Sequence, residues 1–150
     1  MQRDFNVESA RAKLVLVSDC DGTISQVRGE HPANHNSNLI NYLVSMKEAG
    51  HTVILVSTTG NNAGGSVQTA LMACKKPPTA LDIDGYTVMP KGDLDDYLDY
   101  MKITKVDYVF DDEKVAYLPA SMIGEHINPE LFTEPDVPVL SFLPAPRSPI

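Results

Sequence analysis

The sequence predicts an α/β fold: a three-layer, Rossmann-like arrangement with a central, mainly parallel sheet and helices on both faces. Two observations carry this. The segments LVLVS (14–18), TVILVS (52–57) and VDYVF (106–110) are short, nearly unbroken apolar runs, the pattern of strands buried on both faces. Helical patterns lie between them, and strands alternating with helices join into parallel sheets through crossovers. A third observation marks one edge of the sheet as functional. Polar residues follow the strands, where ligands sit in such folds.

In chain order, the first strand covers 14–18 and is ended by Asp and Gly. Residues 36–49 (NSNLINYLVSMKEA) read as an amphipathic helix, with Leu39, Leu43 and Met46 at helical spacing and Gly50 as its stop. The second strand, 52–57, is followed by a loop, TTGNNAGG (58–65), and a helix over 66–74. Pro77 and Pro78 then lead into TALDI (79–83), read as a short third strand. GDLDDYLDYMK (92–102) reads as a helix with acids in its first turn, where the helix dipole favours them. The fourth strand is 106–110. A short helix is expected near 120–127, a last strand at 137–142 (VPVLSF) and an irregular tail after it. The N-terminal segment is also expected to be irregular, and the core spans about 13–142 of a single domain.

Composition narrows the classes. Hydrophobic residues make up 43% of the 150, enough for a core without disulfides and against disorder throughout. A net charge of −8 suits unaided binding of a nucleic-acid backbone poorly, though it leaves room for a local basic cleft. The two cysteines, Cys20 and Cys74, have neither zinc-ligand spacing nor the density of a secreted disulfide scaffold. The first ten residues lack an apolar signal core. No apolar run approaches the roughly 20 residues that span a bilayer. The expectation is a soluble protein of a reducing compartment, the cytoplasm.

The chemistry gathers after the strands. Asp19, Cys20 and Asp21 follow the first, Ser57, Thr58 and Thr59 the second, and Asp111 and Asp112 the fourth; Lys91 opens the helix before that fourth strand. Carboxylates crowded at one edge repel each other and lose solvation. A divalent cation resolves this, and an all-oxygen donor set favours Mg2+ over zinc. Magnesium commonly takes a substrate phosphate as a further ligand, and hydroxyl and ammonium groups suit phosphate oxygens. An aspartate can act as a nucleophile on phosphorus, with a second carboxyl nearby to move the proton.

Blander readings exist for each feature. Two aspartates before Gly-Thr can simply make a turn and cap a helix. A calcium loop also opens on spaced aspartates, and Glu30 stands at its twelfth position counted from Asp19, but the preceding strand and the missing middle acids argue against it. Asp93, Asp95, Asp96 and Asp99 read as a solvated helix face. Gly60, Gly64 and Gly65 lack the Lys-Ser/Thr ending of a P-loop. His31, His35, His51 and His126 show no ligand spacing, although His31 and His35 follow the first motif and could line its entrance.

Asp19-Cys20-Asp21-Gly22-Thr23-Ile24 after strand one, Ser57 after strand two, Lys91 before strand four and Asp111-Asp112 after it together resemble the haloacid dehalogenase (HAD) superfamily, over about residues 13–118. Response-regulator receivers combine similar groups, but with the paired acids early and the lysine last. The HAD resemblance implies a magnesium-dependent phosphomonoester hydrolase. Asp19 would be the nucleophile that becomes an aspartyl phosphate, and Asp21 the general acid and base. Mg2+ would be held by Asp19, the Asp21 carbonyl and an acid of the last motif, with Asp112 preferred as direct ligand and Asp111 behind it. Ser57, or its neighbours Thr58 and Thr59, would bind the phosphoryl oxygens. Lys91, in preference to Lys102, Lys105 and Lys114, would neutralise charge between nucleophile and phosphate. The family's frequent further acid, four residues beyond Asp112, is replaced by Ala116; Glu113 could take part of its role.

Neither gap between motifs, 24–51 or 60–90, can house a folded cap, so the resemblance is to a minimal, capless member. An open site suits a phosphorylated macromolecular end, or a small phosphorylated substrate if a second subunit of a homo-oligomer covers it. The loop SQVRGEHPANHNSN, with Arg28 as its fixed positive charge, is the candidate flap. Two other functions share these residues: transfer of the phosphoryl group to an acceptor other than water, and a catalytically silent binding or assembly module. Retention of both Asp19 and Asp21 favours the enzyme.

Overall fold

The computed structural model describes residues 13–25, 35–132 and 143–149. Within them lie five strands: β1 (Val15–Asp19), β2 (Thr52–Ser57), β3 (Met89–Pro90), β4 (Val106–Phe110) and β5 (Ile123–Ile127). They form one sheet in the order β3-β2-β1-β4-β5, and every pairing is parallel. Three helices connect them: α1 (Ser37–Glu48), α2 (Gly64–Ala73) and α3 (Lys91–Tyr100). The fold is α/β and Rossmann-like. The chain winds outward from β1 in both directions, so the topological switch point lies at β1, and the crevice beyond its carboxyl end is where such sheets bind ligands.

The alternation of side chains along each strand divides the core into two layers. Leu16, Val53, Leu55 and Phe110 face α1 and α2 and pack with Leu39, Ile40, Leu43, Met46, Val67 and Leu71. Val15, Val17, Ile54, Val56 and Val109 face the other way and pack with Leu94 and Leu98 of α3. The sheet is thus covered on both faces, as its unbroken apolar runs require. Asn36 caps α1: its side-chain oxygen accepts the Leu39 N–H at 3.3 Å while its amide donates to the Pro129 carbonyl at 3.0 Å. The cap therefore also ties the helix to the chain beyond β5.

Three expectations are corrected. TALDI (79–83) is not a strand. Ala80 N–H donates to Pro77 O and Asp82 N–H to Thr79 O, as in turns. Ile83 and Tyr86 then close a two-residue hairpin across Asp84 and Gly85, both with positive φ, the conformation that Asp-Gly favours. The place beside β2 is taken by Met89–Pro90 instead. The segment 120–127 is not a helix: a single 3-10 turn, Ala120–Met122, leads into β5. The helix expected at 66–74 begins earlier, at Gly64, after a 3-10 turn over Gly60–Ala63. The strand expected at 137–142, Arg28 and His31 lie outside the described residues.

The tail is irregular but tied down. His51, buried, accepts the Leu14 N–H on Nδ1 at 3.0 Å, so its Nε2 carries the proton and donates to the Arg147 carbonyl at 2.6 Å. Tyr42 donates its hydroxyl to Pro144 O at 2.8 Å. Among the described residues no helix is long and apolar enough to cross a membrane.

Gly124 explains how β5 fits its neighbour. A Cβ there would lie 2.6 Å from the Asp107 carbonyl oxygen, a backbone atom that cannot swing aside. Gly124→Ala should therefore push β5 off β4 and cost about 1–3 kcal/mol, the usual range for overpacking. Urea titration would check it, and a midpoint unchanged from wild type would refute the close approach.

Candidate active site at the carboxyl edge of the sheet

The register of the sheet brings the site together. Asp19, the last residue of β1, is level with Val56, which is level with Met89; on the other side Ser18 is level with Phe110. Asp111 follows Phe110, so it emerges beside Asp19. Ser57 closes β2, and Lys91 is the second residue beyond Met89, at the start of α3. Four separate segments thus deliver two carboxylates, a hydroxyl and an ammonium to one edge.

A cavity of about 160 Å³ opens there, lined by Asp19, Asp21, Ser57, Thr58, Thr59, Lys91, Asp112 and Glu113. Of the residues assigned catalytic, phosphate-binding or metal-holding roles from the sequence, all but Asp111 line it, and Asp111 is only 2% exposed; His35, considered for its entrance, is not among the lining residues. Lys91 Nζ stands 3.2 Å from Asp19 Oδ1 and 3.9 Å from Asp111 Oδ2. Of the rival lysines, Lys105 pairs with Asp107 at 4.0 Å, away from this edge, and Lys102 and Lys114 are exposed. Ser57 Oγ accepts the Thr59 N–H at 3.2 Å and lies 3.2 Å from the Thr59 hydroxyl, so the hydroxyls at the end of β2 are held as a group.

The two acids after β4 differ. Both Asp111 oxygens already accept a hydrogen bond: Oδ1 accepts the Glu113 N–H at 2.9 Å, Oδ2 accepts the Tyr117 hydroxyl at 2.8 Å, and its carbonyl lies 2.9 Å from His126 Nε2. Asp112 is exposed toward the cavity, where its Oδ1 lies 3.4 Å from the Thr23 hydroxyl. The same hydroxyl lies 3.3 Å from Asp19 Oδ2. One proton therefore serves two carboxylates from two strands. Thr23 stands in the first motif, but its link to Asp112 crosses 89 positions of sequence. Tyr117, whose ring lies 4.8 Å beneath the Lys91 ammonium, carries no sequence signal of its function. Glu113 joins the lining by following the turn that Asp111 makes.

Electrostatics follows from this crowding. Burial, and then the neighbouring Asp111 charge, raise the Asp19 carboxyl from 3.8 to about 6 against the opposing pull of Lys91. Burial and Asp111 also push the Tyr117 phenol up, so it stays a donor at neutral pH. Cys20, fully buried in the core, is pushed up by burial and by its two flanking aspartates, which makes it an inert thiol.

Asp19, Asp111 and Asp112 offer carboxylate oxygens that all lie within 4.8 Å of one another. The donor set contains no imidazole or thiolate, which fits a hard cation. Among the described residues these three carboxylates meet one ammonium, Lys91, and the Asp19 carboxyl is raised by its burial first and by the Asp111 charge second. The chain matches no protein-family model, no curated protein and no solved structure.

Proposed function

We propose that the protein is a capless phosphohydrolase of the HAD type, a magnesium-dependent phosphomonoesterase that works through an aspartyl phosphate on Asp19. The observation that carries this reading is the Asp19 carboxylate, held by Lys91 at 3.2 Å and facing a small polar cavity that Asp21, Ser57 and Asp112 also line. A volume of about 160 Å³ suits a phosphoryl group and leaves the remainder of the substrate outside.

In the proposed reaction Asp19 attacks phosphorus as the bond to the leaving oxygen breaks, and Asp21, protonated, delivers its proton to that oxygen. Asp21, now ionised, takes a proton from water as that water attacks the aspartyl phosphate. The bond to Asp19 breaks and inorganic phosphate leaves. The Ser57 hydroxyl and the Thr58–Thr59 turn would donate to the phosphoryl oxygens, and Lys91 would balance their charge beside the nucleophile. Magnesium would be held by Asp19 and Asp112, with Asp111 oriented behind them by Tyr117 and the Glu113 N–H. It would supply neutralisation of charge on the phosphoryl group. Asp112 is the better direct ligand because both Asp111 oxygens already accept hydrogen bonds.

Phosphate release from p-nitrophenyl phosphate and a panel of phosphomonoesters, including phosphopeptides and 3′- and 5′-phosphorylated oligonucleotides, tests the reading with Mg2+ and with EDTA. Magnesium-dependent release is expected, and Asp21→Asn should lower it by about 10²–10⁴-fold, the range of general acid-base catalysis. Full activity of Asp21→Asn would remove that residue from its role. Transfer of phosphate to an added alcohol in place of water would identify a phosphotransferase. Silence across the whole panel would favour a binding module.

A further inference from the structure

We propose that Tyr117 is a positioning residue that holds the Lys91 ammonium on Asp19 by occupying the Asp111 oxygen that competes for it. The kinetic consequence rests on the phosphohydrolase reading; the positioning itself does not.

Lys91 carries a compact point charge on a flexible stem, which has no inherent preference between two carboxylates in reach. Both are in reach, Asp19 Oδ1 at 3.2 Å and Asp111 Oδ2 at 3.9 Å. Asp111 is the more buried of the two, 2% against 6% exposed, and charges attract more strongly where water is scarcer. On that ground alone the ammonium would settle on Asp111. It stands nearer Asp19, because Asp111 already shares its charge with two donors, the Tyr117 hydroxyl on Oδ2 at 2.8 Å and the Glu113 N–H on Oδ1 at 2.9 Å, which weakens its hold on the ammonium 3.9 Å away.

The same tyrosine acts on the lysine directly. Its ring presents a face 4.8 Å from Nζ, an arrangement in which the negative face of the ring attracts the cation. Tyr117 therefore uses its hydroxyl on the rival acid and its ring on the ammonium. Asp19 Oδ1 is left as the partner, since the Thr23 hydroxyl approaches the other oxygen, Oδ2. The lysine is thereby kept where negative charge arrives with a phosphoryl group.

The test pairs Tyr117→Phe, which keeps the ring and removes the hydroxyl, with Lys91→Met. Crystal structures of metal-free wild type and Tyr117→Phe give the first readout. In Tyr117→Phe the Lys91 ammonium should move onto Asp111 Oδ2, so that the order of the two distances inverts; an ammonium that stays on Asp19 overturns the proposal. The second readout is kinetic. Tyr117→Phe should lower kcat/KM about tenfold, as expected when one charge-assisted contact is misplaced, and should have no further effect once Lys91→Met is present. Losses that multiply in the double variant would mean that Tyr117 acts on the fold and not through Lys91, and would also overturn the proposal. If wild type hydrolyses nothing, the phosphohydrolase reading fails, and the crystal structures alone decide the positioning.

Discussion

Replacing Asp19 by asparagine is expected to abolish turnover and, in the metal-free protein, to raise stability at neutral pH. The first effect follows from the proposed role: an amide cannot form the aspartyl phosphate, so activity should fall on the order of 10³-fold or more. The second follows from burial. The Asp19 carboxyl is raised from 3.8 to about 6, by burial first and then by Asp111. A group raised in this way favours the fold while protonated. That contribution is complete below pH 3.8 and is lost as pH rises through 6. Above pH 6 the folded protein must carry an ionised Asp19 in a place that disfavours it. A shift of about two pKa units, in which the opposing pull of Lys91 is already counted, corresponds to at most roughly 3 kcal/mol. A net gain of about 1–3 kcal/mol at pH 7 is expected, several degrees in Tm for a chain of this size. The gap should close toward pH 4. Thermal melts in EDTA from pH 4 to 8 measure it. A variant that melts below wild type at pH 7 would show that the Lys91 pairing outweighs the burial of charge, and would contradict this account of the site.

The same residue shows what could be read from the sequence. Unbroken apolar runs located β1, β2 and β4, because strands buried on both faces have no solvent side to alternate with. Their carboxyl ends then located Asp19, Asp21, Ser57, Thr58, Asp111 and Asp112 on one edge, and Lys91 joined them as the first residue of α3. β3 and β5 were illegible for different reasons. β3 is only Met89–Pro90, too short to show any period, and its position beside β2 comes from tertiary packing. β5, IGEHI, has an exposed centre and a buried end, so it lacks the apolar run that marked the others, and its glycine is there because the Asp107 backbone passes so close. Tyr117 and Thr23 illustrate a further limit. Each is an ordinary residue type at an ordinary spacing, and each acquires its meaning from a partner far along the chain or across the sheet, Thr23 from Asp112 and Tyr117 from Lys91. Such pairings are properties of register, which one strand's composition does not encode.

Gly22→Ala should mimic the loss of Asp112. Gly22 adopts φ +80°, a left-handed conformation that a side chain disfavours by about 1–2 kcal/mol. A Cβ there would also overlap Asp112 Oδ2 and come within 3.0 Å of its Cγ. The alanine therefore both strains the turn after Asp21 and drives the Asp112 carboxylate from its place. If Asp112 is a direct magnesium ligand, Mg2+ should raise the Tm of wild type, by an amount equivalent to about 2.7 kcal/mol at 100 times the dissociation constant. Asp112→Asn should lose most of that increment with little change in the metal-free melt, since Asp112 is exposed. Gly22→Ala should lose it as well and also melt lower without metal. The two variants separate the effects because they share the displaced carboxylate and differ in backbone strain. Calorimetric titration with Mg2+ gives the same comparison without reference to turnover. A Gly22→Ala protein that binds Mg2+ as wild type does would mean that Asp112 can yield to the new methyl group without leaving the metal. A wild-type magnesium response retained in Asp112→Asn would transfer the direct role to Asp111, and Tyr117 would then be orienting a ligand as well as a lysine.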